Sequence, residues 1–274
     1  MSNSEMNDMN NSERPDMNNL AKTNIRTSER MRRIAGMITP GKTIADIGCD
    51  HGLVSLYLIK EGIASHVIAM DVAEGPLESA QANIHEIESG KYEKNIELRL
   101  SDGFKALNTG ETDSAIIAGM GGHLIMSILE QGIPMSSSAK KDDFIFTEGY
   151  EIVISPQSDI PLVRSFLRDN HFDIIDEDML VEEGKYYNII KAVFLTSDII
   201  NENDEVTQKI YDSFGEILIK KKSPVLRNYL ELELAKREGL FCRLSKKSTD
   251  NTVNRLASLN EEIALIGRAM EMLG

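Results

Sequence analysis

Residues 43–52, Thr-Ile-Ala-Asp-Ile-Gly-Cys-Asp-His-Gly, place acids and glycines where they could hold a small ligand. Asp46, Gly48 and Gly52 read D-x-G-x-x-x-G, after an apolar, partly β-branched run and directly before an apolar helical stretch, residues 53–59. In a parallel α/β sheet the carboxyl end of a strand and the start of the next helix open onto one crevice, and ligands bind there. Glycines let the backbone approach the ligand, and the helix start offers free N–H groups. The dinucleotide pattern G-x-G-x-x-G, with three glycines under a pyrophosphate, is not present. Asp46 instead offers a carboxylate to a cationic group such as an amino acid ammonium. This favours S-adenosylmethionine over a nicotinamide cofactor. An ordinary strand, turn and helix is the alternative that this stretch alone leaves open.

Further positions downstream fit the same ligand. Asp71 ends the apolar run 66–71, where a carboxylate at a second strand end can accept from ribose hydroxyls. Asp102, after the run 96–100, is placed to accept from an adenine amine, and Gly103 lets a ring lie close to the backbone, although Asp-Gly is also a common turn pair. The run 113–118 leads into Gly119-Met120-Gly121-Gly122, which would leave room for a flat substrate beside a reacting methyl group. The Asn-Pro-Pro-aromatic signature for an exocyclic amine is missing there, which argues against methylation of that amine.

The elements that must position these residues follow from periodicity. Thr27 or Ser28 can cap a helix carrying Met31, Ile34, Ala35 and Ile38, stopped by Pro40-Gly41. Gly75-Pro76 opens a helix to about Ile87, and further helices are expected at 123–129 and 159–169. Residues 151–155 read as a fifth strand, with 172–181 and 186–195 as a closing β-hairpin. The pattern predicts an α/β, Rossmann-like sheet of the methyltransferase type ending near residue 195. Apolar residues at helical spacing from Ile210 to Met270 then predict a helical, coiled-coil-like hairpin, serving either a partner or simple stabilisation or dimerisation. The resulting division is a disordered tail at 1–20, a methyltransferase domain at 21–198 and a helical domain at 204–274.

Composition sets the outer limits. The 274 residues are 41% hydrophobic and 27% charged, as in globular chains, with no apolar run long enough to span a bilayer. With no basic-then-apolar leader and two distant cysteines, Cys49 and Cys242, a reduced cytoplasmic protein without a metal is expected. The net charge of −14 opposes general attraction to nucleic acid. Charge is uneven, however: residues 209–247 hold ten basic and five acidic side chains, and residues 22–33 are also basic. Arg30 and Arg33 near the site mouth, with Lys220, Lys221, Lys222 and Arg227, are the candidate RNA contacts, with plain surface charge as the alternative.

Asp46-Ile-Gly-Cys-Asp-His-Gly, Ala118-Gly-Met-Gly-Gly122, Ser155-Pro-Gln157 and Glu183-Gly-Lys-Tyr-Tyr187 occur together and in order. With the terminal helices they make the chain resemble the bacterial tRNA adenine-22 N1-methyltransferase family (TrmK) over roughly residues 25 to 270. The chain departs from the family pattern at Cys49, at Gly52-Leu53 and at Asn188. The resemblance implies methyl transfer from S-adenosylmethionine to N1 of adenine 22 in tRNA. Asp50 would then accept from the adenine amine and orient N1, His51 would position Asp50, and Tyr187 would stack on the target base. It also implies a cofactor set of Asp46, Gly48, Cys49, Gly52, Asp71 and Val72, completed by Asp102, Gly103, Gly119, Met120 and Gly121. Oligomeric state stays open, with a monomer favoured. The rival functions are a methyltransferase for another RNA, a protein or a small molecule, and a non-enzymatic scaffold.

Overall fold

The computed structural model describes residues 25, 27–133, 144–197, 199, 202–246 and 250–274. The expected tail at 1–20 lies outside them. A first helix, α1 (Glu29–Gly36), starts where Ser28 accepts the Met31 N–H at 3.2 Å, so Ser28 rather than Thr27 is the cap. The chain then alternates through β1 (Lys42–Ile47), α2 (Leu53–Lys60), β2 (Ala64–Asp71), α3 (Glu74–Glu86), β3 (Ile96–Leu100), β4 (Ser114–Ala118), α4 (Gly122–Glu130), β5 (Glu151–Ser155) and α5 (Ile160–Asp169). The hairpin β6 (Phe172–Glu182) and β7 (Lys185–Phe194) follows. Its turn residues Glu183 and Gly184 both have positive φ, 50° and 75°.

The strands form one seven-stranded sheet in the order β3-β2-β1-β4-β5-β7-β6. The first five are parallel, and β7 enters antiparallel between β5 and β6. Central strands buried on both faces need near-continuous apolar runs, which Ile44, Ala45 and Ile47 in β1 and the wholly apolar middle of β4 supply. One face packs on α4 and α5 with a cluster of Phe104, Phe146, Tyr150, Phe172 and Phe194. The other packs on α1, α2 and α3 through Ile34, Leu56 and Ile84.

The carboxy-terminal segment differs from a simple hairpin. Residues from 204 onward form four helices: α6 (Glu205–Phe214), the short α7 (Glu216–Lys220), α8 (Pro224–Leu244) and α9 (Asp250–Leu273). The last two pack on each other as the hairpin. Gly215, at φ 90°, breaks α6 from α7, a corner hidden from periodicity because apolar spacing continues through it. A third core of Ile210, Leu218, Leu226, Leu230, Ile266 and Leu273 takes in Met179 from β6 and joins the helices to the sheet.

Candidate active site

The loop after β1 is shaped by left-handed backbone at Gly48 (φ 73°), Asp50 (φ 52°) and Gly52 (φ 68°). For Asp50, a residue with a side chain, this conformation is uncommon and clusters at functional sites. Gly52 is required twice over, because an added Cβ would also lie 2.9 Å from the Ala80 Cβ on α3. The Gly48 and Cys49 N–H groups donate to the Met70 carbonyl at 2.8 and 2.9 Å, holding the loop against β2.

Beneath this loop Asp46 is buried, and its carboxylate accepts from the Ser55 hydroxyl of α2 at 2.6 Å. Burial pushes the Asp46 carboxyl up to about 6; the Ser55 bond pulls it down and the Asp71 charge adds to the rise. Among the described residues no cation pairs with it, so an ammonium group from a ligand would complete the site. Cys49 is no nucleophile: burial, with the nearby Asp46 and Asp71 charges, pushes its thiol up and keeps it protonated.

Asp71 ends β2 with both oxygens turned to the loop region. Oδ2 accepts the Asp50 N–H at 3.3 Å and Oδ1 accepts the Ala73 N–H at 3.1 Å. Each oxygen keeps a lone pair for a ligand hydroxyl. Val72 follows and is widely exposed (69%), leaving an apolar face for a ring to cover. Asp102 sits beyond β3, paired to Lys105 at 2.5 Å through Oδ2, so a ligand amine would have to use its other oxygen. Gly103, at φ 66°, is hemmed in by Gln131, whose Oε1 accepts the Phe104 N–H at 2.8 Å.

From the far side, the Met120 methyl lies over Gly48, only 2.2 Å from where a Cβ would stand. Gly119 takes φ 80°, and Gly121 and Gly122 pack against Ser158. The fold thus brings Asp46, Gly48, Cys49, Asp50, Gly52, Asp71 and Met120 together at the carboxyl ends of β1, β2 and β4. The Asp50 and His51 side chains are 73% and 57% exposed, and His51 Nε2 is 3.6 Å from the Asp50 carboxylate.

Tyr187 lies on β7, inside the sheet, and packs on the apolar cluster that also contains Cys49; among the described residues no hydrogen bond joins it to Asp50 or His51. Its ring carries the Arg30 guanidinium at 4.6 Å, and Arg30 Nε is buried without a hydrogen-bond partner among the described residues. The other basic candidates are largely engaged within the chain. Arg33 pairs with Glu29 and Asp178 at 3.0 and 2.9 Å, Lys220 with Glu216 at 2.5 Å, and Lys221 with Asp176. Arg227 donates to the Gly274 carbonyl at 2.7 Å, and Lys222 lies beside Gly274. Lys220, Lys221 and Lys222 also sit on or just after α7 rather than on the hairpin, which corrects the reading of one free basic hairpin face. Counting charge along the chain could not see Asp176 of β6, which pairs with Lys221.

The sequence reading missed Ser55 and Ser158. Ser55 is a small polar residue in an otherwise largely apolar helix start, and that oddity is the signal that could have found it.

A seven-stranded sheet with one antiparallel strand, a glycine loop after β1 and acids after successive strands defines the class I S-adenosylmethionine-dependent methyltransferase fold. A family model described as a methyltransferase domain matches residues 27–190. The tRNA (adenine(22)-N(1))-methyltransferase of Bacillus subtilis is 27% identical over 248 residues, covering 90% of this chain and 98% of the relative. Its crystal structure superposes with a TM-score of 0.72, covering 90% of this chain and 99% of that one. A Mycoplasma genitalium protein proposed to be a tRNA methyltransferase is 31% identical over 223 residues, 75% of this chain and 94% of the relative. A Streptococcus pneumoniae protein solved in complex with S-adenosyl-L-methionine is 27% identical, with a TM-score of 0.69 over 88% of this chain and 98% of that one. The chain belongs to the methyltransferase-domain family and, within it, to the tRNA (adenine-22 N1)-methyltransferases.

Proposed function

We propose that this protein transfers a methyl group from S-adenosylmethionine to N1 of adenine 22 in bacterial tRNA, giving 1-methyladenosine, in the cytoplasm. The observation that carries the reading is the bond from the Asp50 N–H to the Asp71 carboxylate at 3.3 Å, which ties the acid offered to the substrate to the acid offered to the cofactor ribose. The relatives named above support the substrate.

When bound, S-adenosylmethionine supplies an electrophilic sulfonium methyl group. Asp46 would balance the ligand ammonium, Asp71 would accept from the ribose hydroxyls, and Asp102 would accept from the purine amine through its free oxygen. Gly48, Cys49 and Gly52 would let the loop backbone lie against the ligand, and Val72 and Gly103 would flank the purine. Gly119 and Gly121, beside Met120, would keep space for the target base.

Adenine N1 has an in-plane lone pair and attacks without prior loss of a proton. The exposed Asp50 carboxylate would accept from the 6-amino group, orient that lone pair, and stabilise the positive charge that grows on the ring as the N1–methyl bond forms and the methyl–sulfur bond breaks, the bonding pair staying on sulfur and S-adenosylhomocysteine leaving. His51, close beside it, holds the Asp50 rotamer. Tyr187 stacks on the base, with its outer face braced by Arg30. The target adenine must leave its stack in the tRNA, at a cost of a few kcal/mol that contacts elsewhere on the RNA offset.

The test is methyl transfer from labelled S-adenosylmethionine to total bacterial tRNA, followed by nucleoside analysis, with wild type beside Asp50→Ala. Labelled 1-methyladenosine that is lost in the variant is expected. Cofactor binding without any label in tRNA would overturn the reading.

A further inference from the structure

Arg164 on α5 and Glu177 on β6 form a buried ion pair at 2.8 Å, with side chains only 3% and 1% exposed. A buried pair of this kind needs its remaining donors and acceptors satisfied, and here the carboxy-terminal helices and Asn188 of β7 satisfy them. Arg164 Nη1 donates to the Asp212 carbonyl in the last turn of α6 at 3.0 Å. Glu177 Oε2 accepts the Ile217 N–H at the start of α7 at 3.1 Å. The cation therefore caps the end of one helix and the anion caps the start of the next, on either side of the Gly215 corner. Gly215 fits so closely that an added Cβ would stand 2.7 Å from the Glu177 carboxylate and 3.0 Å from Arg164 Nη2.

The third arm of Arg164 leads toward the site. Nη2 donates to Asn188 Oδ1 at 3.2 Å, and the Asn188 carbonyl accepts from the Ser155 hydroxyl at 3.0 Å. Asn188 directly follows Tyr186, whose ring packs on Tyr229 of α8 at 5.1 Å, and Tyr187, the base-stacking residue proposed above. Arg168 adds an outer bond to Asp212 at 2.5 Å.

We propose that the Arg164–Glu177 pair is a positioning device that sets the angle of the helical unit to the catalytic face, so that RNA held by the helices reaches Asp50 and Tyr187 in register. The proposal rests on the tRNA reading for its substrate. Neither residue touches cofactor or base. Arg164 is needed as arginine: a planar fork can serve Glu177, Asn188 and the Asp212 carbonyl together, and a lysine ammonium at the end of a flexible stem cannot.

The experiment compares wild type with Arg164→Lys, and with Arg164→Met/Glu177→Met as a second variant in which no orphan charge is left. Three quantities are read on the full chain: S-adenosylmethionine affinity, kcat/KM on total tRNA, and the distribution of distances between spin labels on Cys242, which is exposed while Cys49 is buried, and on an Ala82→Cys position on α3. Cofactor affinity is expected within twofold of wild type, kcat/KM on tRNA lowered tenfold or more, chiefly through KM, and the distance distribution broadened. Folded variants with a distribution as narrow as wild type, or with broadened distances and unchanged kcat/KM, would overturn the proposal. If wild type itself leaves tRNA unmethylated, the tRNA reading fails, and the label distances still report whether the pair fixes the helices.

Discussion

Asp46→Asn should make the ligand-free protein more stable while removing its cofactor binding. The carboxyl titrates at about 6 in the folded protein and at 3.8 unfolded, so at pH 7 its buried charge costs about 3 kcal/mol, from about 1.4 kcal/mol per pKa unit. The sign follows from the raised folded value. The neutral acid favours the fold fully below pH 3.8, and that contribution is lost as pH rises through about 6. The same arithmetic leaves roughly half that penalty at pH 5. Asparagine keeps the shape and a bond to Ser55 without the charge. Thermal unfolding at pH 7 should show the variant melting on the order of 6 °C higher, with the gain roughly halved at pH 5. In wild type, cofactor affinity should weaken as pH falls below about 6, because the ammonium needs the ionised carboxylate. A variant no more stable than wild type at pH 7, or a gain that does not shrink toward pH 5, would refute the reasoning.

Asp71→Ala removes an acceptor placed for the ribose and releases the Asp50 N–H; titration calorimetry should find cofactor binding weaker by about 2 kcal/mol, or roughly 30-fold. Gly52→Ala combines a left-handed residue with a 2.9 Å contact to Ala80, so urea unfolding should place its loss above the about 1–2 kcal/mol that Gly149→Ala pays for φ 82° with no neighbour within 4 Å. Arg30→Met should leave cofactor affinity intact, raise KM for tRNA several-fold, and lower the slope of log affinity against log salt by about one.

The parallel half of the sheet was legible because its central strands are largely apolar runs, and β1, β2 and β4 run directly into or end in a glycine or an acid. Residues 96–100 and 151–155 match β3 and β5 residue for residue. The place of β7 between β5 and β6 was not legible, since a hairpin at the end of a sheet reads equally well in either strand order. Spacing put Asp46, Gly48 and Asp71 at or just after strand ends, but the depth of Asp46 under its loop was not legible, because it depends on Ser55 turning inward. Of the basic run at 220–222, the Lys220 partner Glu216 lies within the same stretch, but the Lys221 partner Asp176 lies more than forty residues earlier and was not legible. The Gly215 corner was hidden for a related reason, as its caps come from α5 and β6.

The most direct test of the account is the position of the methyl group. A tRNA transcript with adenine at position 22 is incubated with the purified protein and S-adenosylmethionine, beside a transcript carrying guanine there, and each is copied by reverse transcriptase. An N1-methyl group blocks the pairing edge, so the account predicts a new stop one nucleotide before position 22 on the first transcript and none on the second. A stop at another adenine, or equal methyl incorporation into both transcripts, would contradict it.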